Sequence, residues 1–331
     1  MFKNMIIYRI AALWTDSLQG LEEALQKTPF FPCGATQEKS AGWVPPRGED
    51  HGLLAESVGG QWILRFMSET KQLPAEVLNR KVQEKADAIT KEYGRTPGKK
   101  EKRDLKDEAK LDLLPQAFTK RSTMWVWIDP EACLLVLDTG AQGKADEVVT
   151  LLVESLKGFG VSLLDTQTSA QAAMAHWLLS QEAPVGFSVD RECELKAADE
   201  SKAVVRYGRH PLDIDEVKQH VEHGKLPTKL ALTWDDRVSF VLTDSLRINK
   251  VAFTDTVLDQ AGDEGGFDTD VAIATGELSK LIPDLVEALG GEGRHEIVAS
   301  SDTLAVRAAA KGAITGPASA PADTAPTTAP F

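Results

Sequence analysis

Four cations recur on one helical edge of this chain. Lys99, Arg103, Lys106 and Lys110 lie in a charged stretch, and at about 100° per residue they fall within an arc of roughly 60°. Glu101, Asp104, Glu108 and Asp112 fall on the opposite side of the same helix, about 140–220° away from Lys99. Lys99/Arg103 and Lys106/Lys110 are like-charge (i, i+4) pairs that repel one another, a cost that a bound polyanion removes. A phosphate backbone, with one charge per about 1.7 Å of duplex axis, is the chemistry that suits such a ladder. The plainer reading is a solvated helix face. Lys120 and Arg121 follow just beyond the stripe. A weaker basic group comes later, with Arg206, Arg209 and His210 at a strand end and Lys225 and Lys229 after the next helix.

Other chemistries are less well supplied. Leu135–Val136–Leu137–Asp138–Thr139–Gly140 has the apolar-Asp-Thr-Gly pattern of aspartic proteases, in which two carboxylates share a proton. A homodimer acting as a retropepsin-like protease would supply both from Asp138, but a strand ending in a turn explains the same residues. Gly143–Lys144 resembles the end of a phosphate loop. Asp138 stands where its first glycine belongs and Ala145 where Ser or Thr would hold magnesium, so nucleotide hydrolysis is not supported. His220 and His223 are spaced for one helix face, with no third metal ligand in view. Cys33, Cys133 and Cys193 are odd in number and far apart, which fits neither a disulfide framework nor a thiolate zinc site. No cofactor is expected. A protein-interaction scaffold is the reading left if neither anion binding nor cleavage holds.

These side chains need elements to hold them. The pattern predicts strands near Met5–Ile10, Gln61–Met67, Thr123–Ile128, Cys133–Asp138 and Val161–Leu164, with helices near Ser17–Gln26 and Lys144–Leu156. Thr28 to Gly52 is rich in Pro and Gly and reads as turns. Pro74 opens a helix with Leu78, Val82, Ala86, Ile89 and Tyr93 on one face. After the turn Arg95–Gly98, the charged helix Lys99–Leu114 completes a helical hairpin. The later part predicts strands near Glu194–Ala198 and Ala203–Tyr207, a helix from Asp213 to His223, and a meander at Lys229–Trp234, Val238–Thr243 and Ile248–Phe253. A final helix is expected at Ser279–Leu289. The mixed order points to α+β: mixed sheets with a projecting hairpin, in two halves of similar size. The expected division is residues 1–73 with 119–165, the hairpin 74–118, a second domain 166–291, and a disordered tail 292–331. From Ala308 onward, 17 of 24 residues are Ala, Pro or Thr.

The net charge of −13 argues against nucleic acid only as an average, because residues 71–121 carry 14 Lys/Arg against 9 Asp/Glu. No apolar run approaches the roughly 18–20 residues of a membrane helix. A reducing cytoplasm fits the cysteines. No base-reading helix, zinc finger or RNP-type aromatic signature is evident, which leaves backbone binding as the DNA mode.

Several strings, in order, resemble the recombination-associated RdgC family: Phe2–Lys3–Asn4, Pro32–Cys33–Gly34, Ser40–Ala41–Gly42–Trp43–Val44–Pro45–Pro46–Arg47–Gly48, Leu113–Leu114–Pro115–Gln116–Ala117–Phe118, Thr228–Trp234 and Thr275–Gly276–Glu277–Leu278. The resemblance implies a ring-shaped homodimer that encircles duplex DNA without sequence preference, on the nucleoid, and restrains RecA-dependent strand exchange. It further implies that residues 74–118 form a projecting tip and that Phe118 lies at a dimer contact, where the residues alone also allow a core phenylalanine. Arg209 and His210 match a DNA-contact pair that is Lys-Gln in the family, so charge is kept at the first position. The stretch beyond Gly291 departs from the family's compact form.

Overall fold

β-branched and aromatic residues in alternation make long strands, and this chain pairs most of them into one antiparallel sheet. The computed structural model describes residues 1–259 apart from 13 and 15, together with 265–293 and the backbone of 298–299. In chain order the first part holds β1 (Met5–Ile10), α1 (Leu18–Leu25), β2 (Lys39–Val44), β3 (Ala55–Val58), β4 (Gln61–Gln72), α2 (Ala75–Tyr93) and α3 (Lys99–Leu113). β5 (Phe118–Asp129), β6 (Leu134–Asp138), α4 (Gln142–Ser155) and β7 (Gly160–Leu163) follow. Then come α5 (Ala170–Ser180), β8 (Phe187–Ala197), β9 (Val204–Gly208), α6 (Asp215–Glu222), β10 (Lys225–Trp234), β11 (Val238–Thr243) and β12 (Ile248–Phe253). α7 (Asp255–Leu258), α8 (Phe267–Ala288) and β13 (Val298–Ala299) complete the described elements.

The fold is α+β. The main strand order is β2-β4-β5-β6-β1-β12-β11-β10-β8-β9, with β3 beside β4 and β7 bridging β1 to β13. The two halves meet where Met5 of β1 pairs with Ile248 of β12, and the Val251 amide donates to the Lys3 carbonyl at 2.9 Å. Strand alternation divides the side chains between two cores. Ile6, Tyr8, Leu64, Val126, Leu135 and Leu137 pack with α1 and α4. Met5, Ile7, Ile63, Trp127 and Val136 face the other way, into a core shared with α5, α6, α8 and the strands of the second half.

The turn-rich stretch contains a strand that composition concealed. β2 pairs with β4 from Lys39↔Thr70 to Val44↔Arg65 and receives Phe30–Trp43 and Trp43–Thr28 backbone hydrogen bonds on its other side. That close approach explains Gly42: a Cβ there would lie 2.6 Å from the Phe30 nitrogen. Trp43 is buried edge-on to Phe66, with ring centroids 5.5 Å apart. Arg47 stacks 4.7 Å over Phe267 and pairs with Asp268 at 2.6 Å and Glu56 at 3.3 Å, so it clamps the start of α8 onto β3.

Three further elements differ from expectation. α5, not anticipated, buries Ala170, Ala173, Met174, Trp177 and Leu178, a pattern too apolar to show one clean face. α8 begins twelve residues before Ser279, at Phe267, and continues through Pro283. Tyr93, on the expected apolar face of α2, is exposed at the helix end, which Gly94 closes in the left-handed conformation. Glu292 forms a β-bridge with Thr166, and the Gly293 amide donates to Asp165. Apart from β13, the tail beyond Gly293 lies outside the described residues.

Candidate nucleic-acid interface

The hairpin carries the first group of cations. β4 and β5 pair over eleven residues, from Trp62↔Ile128 to Gln72↔Phe118, and the hairpin α2–α3 joins their far ends. Leu78 and Ala86 of α2 and Leu105 and Ala109 of α3 are buried. The acidic edge of α3 turns toward α2: Lys85 Nζ lies 2.6 Å from Glu108 and 2.7 Å from Asp112. Those two hydrogen bonds, Asp112 first, hold the Lys85 ammonium above its usual range. Arg95 pairs with Glu101 at 2.7 Å across the turn. With Glu101, Glu108 and Asp112 engaged on that side, Lys99, Arg103 and Lys106 are exposed and form no ion pair among the described residues. Lys110 differs, being half-buried and 2.5 Å from Glu38.

At the root of the hairpin, Lys120 is exposed. Arg121 instead meets Glu69 at 2.6 Å and lies 5.7 Å over the Phe30 ring. Glu69 is 2% exposed, and the Arg121 guanidinium, helped by the Cys33 amide at 2.8 Å, holds its carboxyl below the usual range. Arg121 therefore neutralises a buried charge and is a poorer phosphate ligand than its position suggests. Phe118 is 86% exposed, which removes the core reading of that side chain.

The second group sits at the other end of the strand order. Arg206 on β9 pairs with Glu194 at 2.7 Å, and Lys229 reaches the same carboxylate at 3.2 Å. The Arg206 hydrogen bond, with those of Thr228 and Lys229, lowers the Glu194 pKa to about 2 against the cost of burial. Arg209 follows in the left-handed region at φ 57°, exposed and without an ion pair among the described residues. The His210 amide donates to the Arg191 carbonyl at 3.1 Å, and Nδ1 of His210 lies 2.8 Å from the Pro211 carbonyl oxygen. Arg209 shares a hollow of about 270 Å³ with Arg191, Glu192, Ala231, Val241 and Lys250 on the sheet face.

The structure does not converge the two groups. β5 and β9 are seven inter-strand steps apart, roughly 30 Å along the sheet at about 4.8 Å per step. That separation suits an extended ligand better than a small one.

The remaining candidates have structural roles. Asp138 Oδ1 accepts the Asn4 amide at 3.0 Å, and Thr139 Oγ1 accepts the Ala141 amide at 3.2 Å, a strand-end turn that leads into α4. Lys144 Nζ donates to Ser122 at 3.2 Å, tying α4 to β5. His220 Nδ1 accepts from Lys225 at 2.8 Å, and His223 caps α6. The three cysteines are free. Among the described residues, no three His, Cys, Asp or Glu side chains are grouped to hold a metal, and no helix is long and apolar enough to cross a membrane.

The sequence model of a family described as "Putative exonuclease, RdgC" matches residues 1–292. Recombination-associated protein RdgC of Dechloromonas aromatica is 45% identical over 300 residues, covering 88% of this chain and 98% of that protein. This chain belongs to the RdgC family. Members from Janthinobacterium sp. (strain Marseille), 43% identical, and Bordetella pertussis, 40% identical, cover the same 88% of the chain and 98% and 99% of their own lengths. The matched region ends where the described fold ends, so the RdgC homology spans both basic groups, the hairpin and α8. It assigns a role in recombination.

Proposed function

We propose that this RdgC-family chain binds duplex DNA without reading its sequence, as a homodimer closed around the duplex, and thereby restrains RecA-dependent strand exchange on the cytoplasmic nucleoid. The observation that carries the reading is the sorting of charge on α3. Lys85 and Arg95 engage Glu101, Glu108 and Asp112, and Lys99, Arg103 and Lys106 remain unpaired on the exposed edge. Such cations act on phosphates by releasing counterions, a mechanism indifferent to base sequence. Arg209, beside β9 and seven inter-strand steps from the β5 root of the hairpin, is a second unpaired contact that an extended duplex can reach.

Fluorescence anisotropy of a labelled duplex, titrated at several salt concentrations, tests this. Changing Lys99, Arg103 and Lys106 together to Gln is expected to flatten the slope of log K against log salt by up to about 3. Lys110→Gln should do less, since Glu38 already engages that ammonium. An unchanged slope in the triple variant would place the contacts elsewhere. Release of labelled nucleotides from duplex in the presence of Mg²⁺ would make DNA a substrate and replace the binding-only reading.

The dimer rests on Phe118, a large apolar ring 86% exposed at the root of the hairpin. Phe118→Asp is expected to shift sedimentation from dimer toward monomer with the circular dichroism spectrum unchanged. A variant that remains dimeric would remove Phe118 from the contact.

A further inference from the structure

β9 stops short of its neighbour. It pairs with β8 only from Glu192↔Gly208 to Lys196↔Val204, so the earlier part of β8, Phe187 to Val189, has β10 on one side and, among the described residues, no strand on the other. That open edge borders a cleft of about 530 Å³, within the range of roughly 300–1,000 Å³ usual for small-ligand sites. Its apolar wall is made by the edges of Trp177 and Leu178 from the end of α5, Phe187 from β8 and Leu212 from the loop after β9, side chains otherwise buried in the core. Ser188, Asp190 and Asp213 supply side-chain polar groups beside the open strand edge.

Asp190 and Arg191 line this cleft and also the hollow that Arg209 and Lys250 border. An aromatic cleft with hydrogen-bonding groups thus adjoins a hollow with three cations, of which Lys250 is paired to Glu192 while Arg191 and Arg209 have no ion pair among the described residues. A planar heterocycle attached to an anion matches this division. The ring lies against the edges of Trp177 and Phe187 that reach the cleft, its exocyclic amino groups donate to Asp213 or to Asp190, whose Oδ2 already accepts from Thr233 at 2.9 Å, and the phosphate lies by Arg191 and Arg209. An extended peptide would use the open edge but leave Arg191 and Arg209 unexplained, and a base within a duplex cannot reach an apolar cleft without leaving the stack.

We propose that the cleft between α5 and β8, with the adjoining hollow at Arg191 and Arg209, holds one unstacked nucleotide of a DNA strand, at an overhang or a gap. The site rests on the DNA-binding reading and adds to it a place where a base, and not only the backbone, is held.

The test uses the full chain and two duplexes, one blunt and one with a short 3′ overhang carrying a single 5-iododeoxyuridine. Irradiation of the overhang complex is expected to crosslink the iodinated base to Trp177 or Phe187, located by peptide mapping, while the same base inside the blunt duplex gives no adduct there. Ala183→Trp fills the cleft from its exposed rim. It should remove the adduct and any preference for the overhang, expected at about tenfold in affinity, and leave blunt-duplex affinity unchanged. Blunt-duplex binding with no adduct at the cleft, or an adduct that persists in Ala183→Trp, overturns the nucleotide site and leaves the duplex reading standing. Failure of both duplexes to bind overturns the two together. Displacement of the adduct by an unrelated extended peptide, with blunt-duplex affinity unchanged, would reassign the cleft to strand addition.

Discussion

Glu194 shows how a single side chain alters the value of its neighbours. Arg206, Lys229 and Thr228 all bond its carboxylate, so Arg206 enters any encounter with DNA already partnered, whereas Arg209 does not. If the proposed duplex binding holds, Arg209→Ala is expected to weaken duplex affinity by anisotropy more than Arg206→Ala. The same geometry sets a pH dependence. A carboxyl held at about 2 in the folded chain, against about 4.3 unfolded, contributes stability that is complete above pH 4.3 and disappears as pH falls toward 2. Glu194→Gln is expected to lower unfolding free energy by on the order of 1 kcal/mol at pH 7, a modest figure because the Arg206 side chain is 74% exposed and water screens it. Urea unfolding should show that difference vanish near pH 2; a gap that persists in acid would assign the effect to lost packing. Arg121 and Glu69 illustrate what residue types alone could not convey. The two are 52 positions apart, and only the register Glu69↔Arg121 across β4 and β5 joins them.

At the scale of elements, the hairpin is the part most legible from sequence. Its helices were expected from Pro74 and from Lys99 to Leu114, and the observed spans are Ala75–Tyr93 and Lys99–Leu113. Periodicity is local, so helices of this length announce themselves. Which edge of α3 turns inward was not legible, because it depends on Lys85 arriving from the other helix. Lys85→Met should weaken the join between the helices at Glu108 and Asp112. Amide hydrogen exchange at Ala86 and Ala109 is expected to speed up about tenfold, with β1 and β6 unaffected. Equal protection in the variant would show that Leu78, Leu105 and their apolar neighbours hold the hairpin without the ion pairs. β2 and α5 were missed for opposite reasons. β2 is a strand because β4 and the Thr28–Phe30 segment bond it on either side, despite its glycine and the prolines that follow. α5 shows no polar stripe because its exposed face carries Ala172 and Leu179 beside His176.

For the whole molecule, the central fact is the shared core. Residues of β1, β4, β5 and β6 pack in one cluster with α8 and the strands of the second half, and Arg47 fastens the start of α8 to the first half. Separate unfolding of two halves is therefore not expected. Leu278→Asp, a charge at a fully buried position of α8, should cost more than about 3 kcal/mol and lower the midpoint of one common transition followed by tryptophan fluorescence and far-ultraviolet circular dichroism. Two resolved transitions would show that the halves unfold independently. An extended basic path also belongs to this scale, since the cations of α3 and Arg209 become one surface only for a ligand long enough to span the sheet.

The α+β class, the hairpin with its sorted charges, most strand positions and, through ordered strings such as Gly42–Trp43–Val44–Pro45–Pro46–Arg47, the RdgC family are legible in the residues alone. These depend on local periodicity, turn chemistry and residues whose steric demands leave few substitutes, such as Gly42 against Phe30. Tertiary structure alone decided which cations are free, that both halves share one sheet, and that β8 is left with an open edge beside an aromatic cleft. Those outcomes depend on strand register and on partners tens to hundreds of residues away, and no local pattern carries that information.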